Sequence, residues 1–308
     1  MLQYVSKFSR RLFGAGLPAF ATIGCRRNPI SNLTGERTPS QLVGVVGSLF
    51  MPSGEVTKPA VICLTGAEGG LWEAPAIALA NEGFPALALA VSNFSGTPDT
   101  IKNIEVENVE RAVNWLRNRA KPLNDFVAVR GWSRGGELSL ILASLTSSVN
   151  AAITYAPRCY VALENGKQNA YGDRRASSAW LYKGQPVLGS PLDKTTYLDR
   201  ARPSFEDIHG IAVENIRGPV LFVSGGSDTG LDGTTAEYGC NYAMRRLKLK
   251  NFGYRYEHLS YPNAGHNIAG PPSFKVAPFG GGSIEGDAYA VADSWPRSLA
   301  FLEASAKN

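Results

Sequence analysis

The hexapeptide Gly131-Trp132-Ser133-Arg134-Gly135-Gly136 follows an apolar run at Phe126–Arg130 and opens a helical segment over 134–145. Gly-x-Ser-x-Gly between a strand and a helix is the pattern of a nucleophile elbow. The sharp turn lifts the serine from the sheet edge, and the flanking positions must be small because strand and helix pass close. The helix N-terminus behind Ser133 supplies backbone N–H groups and a positive dipole end, both suited to a developing oxyanion. A serine needs a base, and the chain has three histidines. His266, in Tyr261-Pro262-Asn263-Ala264-Gly265-His266, follows a β-rich run at Tyr254–Tyr261 and sits in a Gly-flanked loop, so it is the preferred base. His258 lies inside that run and reads as a packed or surface residue, and His209 has no link to the chemistry beyond a conceivable substrate contact. Asp228 follows the apolar run Val220–Val223 and is placed to orient His266, with Asp232 as the fallback. Nucleophile, acid and base in the order Ser133, Asp228, His266 is one of the known chain orders of a serine triad.

Another apolar run, Val61–Leu64, ends in Thr65-Gly66-Ala67-Glu68-Gly69-Gly70. A loop of that kind can aim a second N–H at the oxyanion, with Ala67 as donor and the Arg134 N–H as its partner. The same loop lacks Gly-x-x-x-x-Gly-Lys-Ser/Thr, and Gly-x-Gly-x-x-Gly is absent, so phosphate cradling and nucleotide binding are disfavoured. Trp72 is a candidate wall for an acyl pocket, although a large aromatic near a strand end is more commonly core.

Positioning these residues requires buried strands alternating with helices. Apolar β-rich runs occur at Leu42–Met51, Val61–Leu64, Ala86–Ala90, Phe126–Arg130, Ala152–Tyr155, Val220–Val223 and Tyr254–Tyr261. Several are near-continuously apolar, as in strands buried on both faces of a parallel sheet. Between them, Val106, Val109, Ala112, Val113 and Leu116 mark one face of a helix over 105–118. Segments 73–82, 134–145, 236–249 and 287–304 read similarly, with Pro296 expected to kink or shorten the last. The alternation predicts an α/β fold with a doubly wound, mostly parallel sheet. The interval 156–218 is rich in Pro, Gly and Tyr without clear periodicity, and reads as a cap-like insertion over one sheet edge, where specificity usually resides.

Composition narrows the function classes. Of 308 residues, 44% are hydrophobic and 19% charged, which fits a globular chain and excludes disordered, collagen-like and disulfide-scaffold classes. The net charge of +5 is concentrated at one end: Lys7, Arg10, Arg11, Arg26 and Arg27 precede the first acid, Glu36. The remaining basic residues balance the 26 acidic ones, so no basic patch for nucleic acid is visible. Four cysteines without CxxC spacing and three histidines argue against a metal site, and no apolar run is long enough for a transmembrane helix. Residues 1–28 read as a basic leader outside the fold, leaving 29–308 as a single domain. Ser9-Arg10-Arg11-Leu12-Phe13 resembles a twin-arginine export signal, and Ala19-Phe20-Ala21 a cleavage site, so an exported or periplasmic protein is expected. A mitochondrial transit peptide and an untargeted tail of a cytoplasmic protein are the alternatives. Lipidation at Cys25, in a poor lipobox, would give a membrane tether.

Taken together, these motifs resemble one family. Leu64–Glu73, the elbow Gly131–Glu137, Tyr182-Lys183-Gly184, Tyr261-Pro262 with Gly265-His266 and Pro271-Pro272, and Gly281-Gly282 with Asp293-Ser294-Trp295 are similar to the catalytic domain of acyl-CoA thioesterases and bile acid-CoA:amino acid N-acyltransferases. The match spans about 58–304. It implies a dienelactone-hydrolase-like α/β-hydrolase fold, cleavage of an acyl thioester or ester through an acyl-enzyme, and no cofactor. The acyltransferases use cysteine as nucleophile, so Ser133 is similar to the thioesterase branch and argues for water as acceptor. The family's usual N-terminal β-sandwich has no counterpart between the leader and the first buried strand, which loosens the tie to CoA; export would favour a small ester or lactone instead. Arg174, Arg175 and Lys183 are candidate partners for an anionic substrate, or solvated surface. The expectation is therefore a serine hydrolase with Ser133, His266 and Asp228 as triad. Acyl transfer to an amine or alcohol, and a non-catalytic binding protein on the same fold, are the alternatives. The oligomeric state is not legible.

Overall fold

The computed structural model describes residues 35–40, 42–162, 178–187, 210–230, 236–274 and 279–307. All of them lie in one compact unit, Asn32–Asn308. The leader, His209, Arg174, Arg175 and Asp232 lie outside the described residues.

Among the described residues the strands are β1 (Glu36–Arg37), β2 (Val46–Phe50), β3 (Ala60–Leu64), β4 (Ala86–Ala90), β5 (Ile104–Glu105), β6 (Val127–Trp132), β7 (Ala151–Tyr155), β8 (Trp180–Tyr182), β9 (Gln185–Pro186), β10 (Val220–Gly225) and β11 (Tyr256–Tyr261). The helices are α1 (Glu73–Asn81), α2 (Val106–Ala120), α3 (Arg134–Leu145), α4 (Ala236–Leu249) and α5 (Ile284–Ser305). The main sheet has the order β1-β2-β4-β3-β6-β7-β10-β11. Strands β1, β2 and β4 pair antiparallel in succession; every pairing from β4 to β11 is parallel.

Parallel pairing forces crossovers, and the helices of those crossovers cover both faces, so the central strands are buried throughout. Alternation along each strand then splits the core. Ile62, Leu64, Leu87, Leu89, Val127 and Val129 pack with α2, α3 and α4 on one face. Val61, Cys63, Ala86, Ala88, Ala128 and Ile153 pack with α1 and α5 on the other. The stripe Val106, Val109, Ala112, Val113 and Leu116 is fully buried, as its spacing requires. From β3 the chain winds one way to β4, then crosses back to β6. The loop after β3 and the turn after β6 therefore face each other at the topological switch point, where open α/β sheets form their sites.

Two expectations need correction. The run Leu42–Met51 is strand only from Val46, because Gly44, with φ +79°, turns the chain just before it, and Tyr254–Tyr261 is strand only from Tyr256. Pro296 neither shortens nor ends α5, which runs through it for 22 residues. Pro296 and Ala292, whose carbonyl loses its helical donor, both lie on the exposed face, so water can serve that carbonyl. The buried face holds Trp295, Phe301 and Leu302 against the sheet, and that packing outweighs the missing bond.

The interval 156–218 is not structureless in its described part. β8 and β9 form a hairpin that pairs with β5, and Trp180 is buried in the α2/α3 face. Lys183 (φ 53°) and Gly184 (φ 69°) form its two-residue turn, which accounts structurally for the Tyr-Lys-Gly sequence.

Candidate active site

Ser133 has φ 54° and ψ −116°, a backbone conformation rarely adopted by non-glycine residues. Its surroundings hold it there. The Ser133 N–H donates to the Tyr155 carbonyl (2.9 Å), and its carbonyl accepts from Glu137 N (3.0 Å) in the first turn of α3. The flanking glycines are a steric necessity. A Cβ on Gly131 would overlap the Gly135 carbonyl and come within 2.5 Å of Ser139 Oγ; one on Gly135 would meet Leu64 O at 2.7 Å. The loop after β3 closes on the same spot, a Cβ on Gly66 lying 3.3 Å from Ser133 Cβ. In that loop Glu68 accepts from Thr65 Oγ1 and from Gly66 N (3.1 Å), and the Asn93 amide donates to the Glu68 carbonyl (2.7 Å). These bonds fix the stretch that carries Ala67.

Asp228 and His266 meet in a buried pair: Asp228 Oδ2 lies 2.8 Å from His266 Nδ1. An ionised carboxylate only accepts, so Nδ1 carries the hydrogen and Nε2 is left for other work. Asp228 Oδ1 accepts from Gly230 N (2.7 Å). The imidazole is gripped on every side. Its ring centroid lies 5.5 Å from Trp132 and 5.9 Å from Phe279. A Cβ on Gly230 would strike the ring at 2.7 Å, and one on Gly280 would strike His266 Cβ at 2.5 Å. Trp132, directly before Ser133, donates from Nε1 to the His266 carbonyl (2.9 Å), tying the His266 loop to the elbow. Buried Arg130, two residues further back, donates to the Ala269 carbonyl and lies against the Tyr155 and Trp295 rings.

Several positioning features carried no sequence signal. Glu137 is fully buried: Oε2 accepts from Arg134 Nη1 (2.6 Å), and Oε1 accepts from Trp180 Nε1 (2.7 Å) and Ala162 N (2.8 Å). Glu137, paired within the elbow helix to Arg134, thus links that helix to the described part of the insertion through the Trp180 and Ala162 hydrogen bonds. Gly280, Gly281 and Gly282, all with positive φ, thread between the Asp228 and His266 loops, with Gly280 O accepting from Thr229 N (2.8 Å) and His266 N (3.2 Å). A run of three glycines was visible, but its partners, more than ten residues away, were not.

The other candidates separate. Trp72 packs on Trp132 (5.6 Å between centroids) and Phe274 (5.7 Å), beside the elbow and half-buried. Lys183 is in the hairpin turn; its N–H donates to Glu107 Oε1 (2.5 Å) and its ammonium sits over Tyr182, so its described contacts are with α2 and β8. His258 Nε2 lies 2.7 Å from Ser224 Oγ, and burial pushes its pKa down, partly opposed by Glu237. Among the described residues no group of three or more His, Cys, Asp or Glu side chains could hold a metal ion.

The eight-stranded sheet with its antiparallel second strand, the strand–turn–helix at Ser133 and helices on both faces define an α/β-hydrolase fold. A putative dienelactone hydrolase from Klebsiella pneumoniae shares it, with a TM-score of 0.55 at 16% identity over 84% of this chain and 92% of that one. A dienelactone hydrolase-like phosphotriesterase from metagenomic libraries does so with a TM-score of 0.53 at 15% identity, over 89% of this chain and 98% of that one. Residues 104–308 match the family described as BAAT / Acyl-CoA thioester hydrolase C terminal, and the chain belongs to that family. It is 28% identical over 279 residues to the mouse peroxisomal succinyl-coenzyme A thioesterase, covering 86% of this chain and 64% of the relative. It is also 28% identical over 279 residues to mouse bile acid-CoA:amino acid N-acyltransferase, covering 83% of this chain and 62% of the relative. The chain thus spans a little under two thirds of the length of these relatives.

Proposed function

We propose that the protein hydrolyses an acyl thioester, of the acyl-CoA kind, or a carboxylic ester through a Ser133 acyl-enzyme. The observation that carries the reading is the pairing of a strained serine elbow at Ser133 with the buried Asp228–His266 contact, on loops that Trp132 ties together. In this mechanism Ser133 Oγ attacks the acyl carbon while His266 Nε2 takes its proton. Asp228 keeps the hydrogen on Nδ1 and stabilises the imidazolium. The N–H groups of Ala67 and Arg134, on the loop after β3 and at the start of α3, receive the oxyanion. His266 returns its proton to the departing thiolate or alkoxide, then activates water to release the acid. Family membership supports the thioester, and relatives named as thioesterases support water as acceptor. Trp72, beside the elbow, is proposed to wall the acyl group; Arg174, Arg175 and Lys183 are retained as candidate partners for an anionic substrate. Relatives named for the peroxisome and the mitochondrion support the cytoplasmic or mitochondrial alternative over export, which fractionation of cells expressing the full chain would test.

The deciding experiment compares the full chain with Ser133→Ala on acyl-CoA esters of graded length, following thiol release, and on aryl esters in parallel. The serine variant is expected to lose about 10⁴-fold in kcat. Equal activity of the two proteins refutes the mechanism. Product analysis with added amines separates hydrolysis from acyl transfer.

A further inference from the structure

We propose that Asp287 is a positioning residue for His266. Its carboxylate holds the loop that carries the base and sets a second buried negative charge behind the Asp228–His266 pair. The inference rests on the reading of His266 as the base.

Asp287 lies in the first turn of α5 and is 0% exposed. Its Oδ1 accepts from Gly265 N at 2.6 Å, so the residue directly before His266 is bonded to it. Its Oδ2 makes no hydrogen bond among the described residues. The rest of the α5 entry clasps the same loop. Ser283 N donates to the Asn263 carbonyl (3.0 Å), a Cβ on Gly282 would meet Ala264 C at 2.7 Å, and one on Gly265 would meet Gly280 O at 2.9 Å. Asp287 is therefore the buried carboxylate of a helix entry that otherwise meets this loop through glycines and backbone, Glu285 of the same turn being exposed.

An amide oxygen would still accept from Gly265 N, although more weakly. What only aspartate adds is the charge, and a buried charge with one oxygen unbonded is costly unless something nearby uses it. The titratable groups facing it are Asp228, from the loop after β10, and His266, from the loop after β11. Burial is the largest influence and, with Asp228, holds the Asp287 carboxyl above the usual carboxylate range, against the Gly265 N–H and His266, which pull it down. The first turn of a helix also favours a carboxylate. Two buried carboxylates repel one another while His266 is neutral, and both are relieved when it takes the serine proton. The arrangement favours the charged state formed during reaction over the resting one, which is the property that accelerates a step.

The test follows the His266 imidazole by NMR across pH in the full chain and in Asp287→Asn, with His266→Asn used to assign the resonance. The amide keeps an acceptor for Gly265 N and removes the charge, so the titration midpoint is expected to fall by about half a pH unit or more. The acid limb of kcat/KM moves with it, and Asp287→Glu restores part of the shift. Asp287→Ser, which also keeps an oxygen, is read the same way if the amide variant does not fold. A midpoint unchanged in the charge-removing variant overturns the proposal. Ser133→Ala, assayed alongside, reports on the catalytic reading separately, because the imidazole titration is measured whether or not thioester turns over.

Discussion

Glu137 offers the most direct test of how the elbow is held. Its carboxylate is 0% exposed and its partner Arg134 3% exposed, with Nη1 and Oε2 2.6 Å apart. Two further donors, Trp180 Nε1 and Ala162 N, converge on Oε1. In Glu137→Gln the amide oxygen can still receive Trp180 and Ala162, but its NH₂ then faces the Arg134 guanidinium, donor against donor. Removing one partner of a buried pair costs about 3–5 kcal/mol, and weakening two charge-assisted bonds to neutral ones adds about 1 kcal/mol. For a chain of this size roughly 2 °C is lost per kcal/mol, so Tm should fall by about 8–12 °C. Urea unfolding followed by tryptophan fluorescence reads the stability, and hydrogen exchange at the Trp180 indole reads the tether to β8. Arg134→Met combined with Glu137→Gln should recover most of the loss, because the amide oxygen still accepts from Trp180 and Ala162 and no buried charge is left unpaired. A stability within about 0.5 kcal/mol of wild type for Glu137→Gln would refute the claim that this pair is a structural anchor; a double variant weaker than the single would refute the electrostatic account of it.

Three other outcomes follow from the same geometry. Gly135→Ala places a methyl against the Leu64 and Thr65 carbonyls, which are backbone and cannot swing away; kcat is expected to fall by at least about 10²-fold through displacement of the Ala67 loop, and unchanged kinetics would contradict that placement. His258 is held neutral by burial, so its folded pKa is below the unfolded value and the unfolded state binds the extra proton. Stability should therefore decline as pH falls through about 6.5, and His258→Gln should flatten that slope in urea midpoints measured between pH 7.5 and 5. Burial pushes the Cys63 thiol up to about 11, with nearby Arg130 opposing it, and the Cys240 thiol is also raised. At pH 8 neither should be alkylated within minutes in the native protein, both should react in urea, and peptide mass spectrometry distinguishes the two results.

The chemistry was legible where function and local structure coincide. Gly131, Ser133 and Gly135 announce a strand–turn–helix because each glycine sits where a Cβ would collide with a neighbouring strand or turn. Asp228 and His266 could be paired as candidates because each follows a strand, one apolar and one β-rich, and parallel strands deliver their C-terminal loops to one edge. Their separation of 38 positions in the chain closes to 2.8 Å only because β10 and β11 are adjacent and parallel. Periodicity was a good guide to α2, whose stripe is local. It also marked α5, where only the expected shortening at Pro296 fails, because the packing of Trp295 and Phe301 on the sheet overrides the proline.

Sequence alone determined the alternation of buried strands and amphipathic helices, the serine on its elbow, and the loops that hold Asp228 and His266, since each of these depends on residues within a few positions of one another. Tertiary structure decided what grips them. Glu137 meets Trp180 across 43 positions, Trp132 reaches the His266 carbonyl across 134, and Asp287 meets Gly265 across 22. Such contacts join side chains whose types are common and whose spacing repeats nothing. They exist only once hydrophobic burial has stacked both layers of helices on the sheet and brought these buried polar groups within reach of one another.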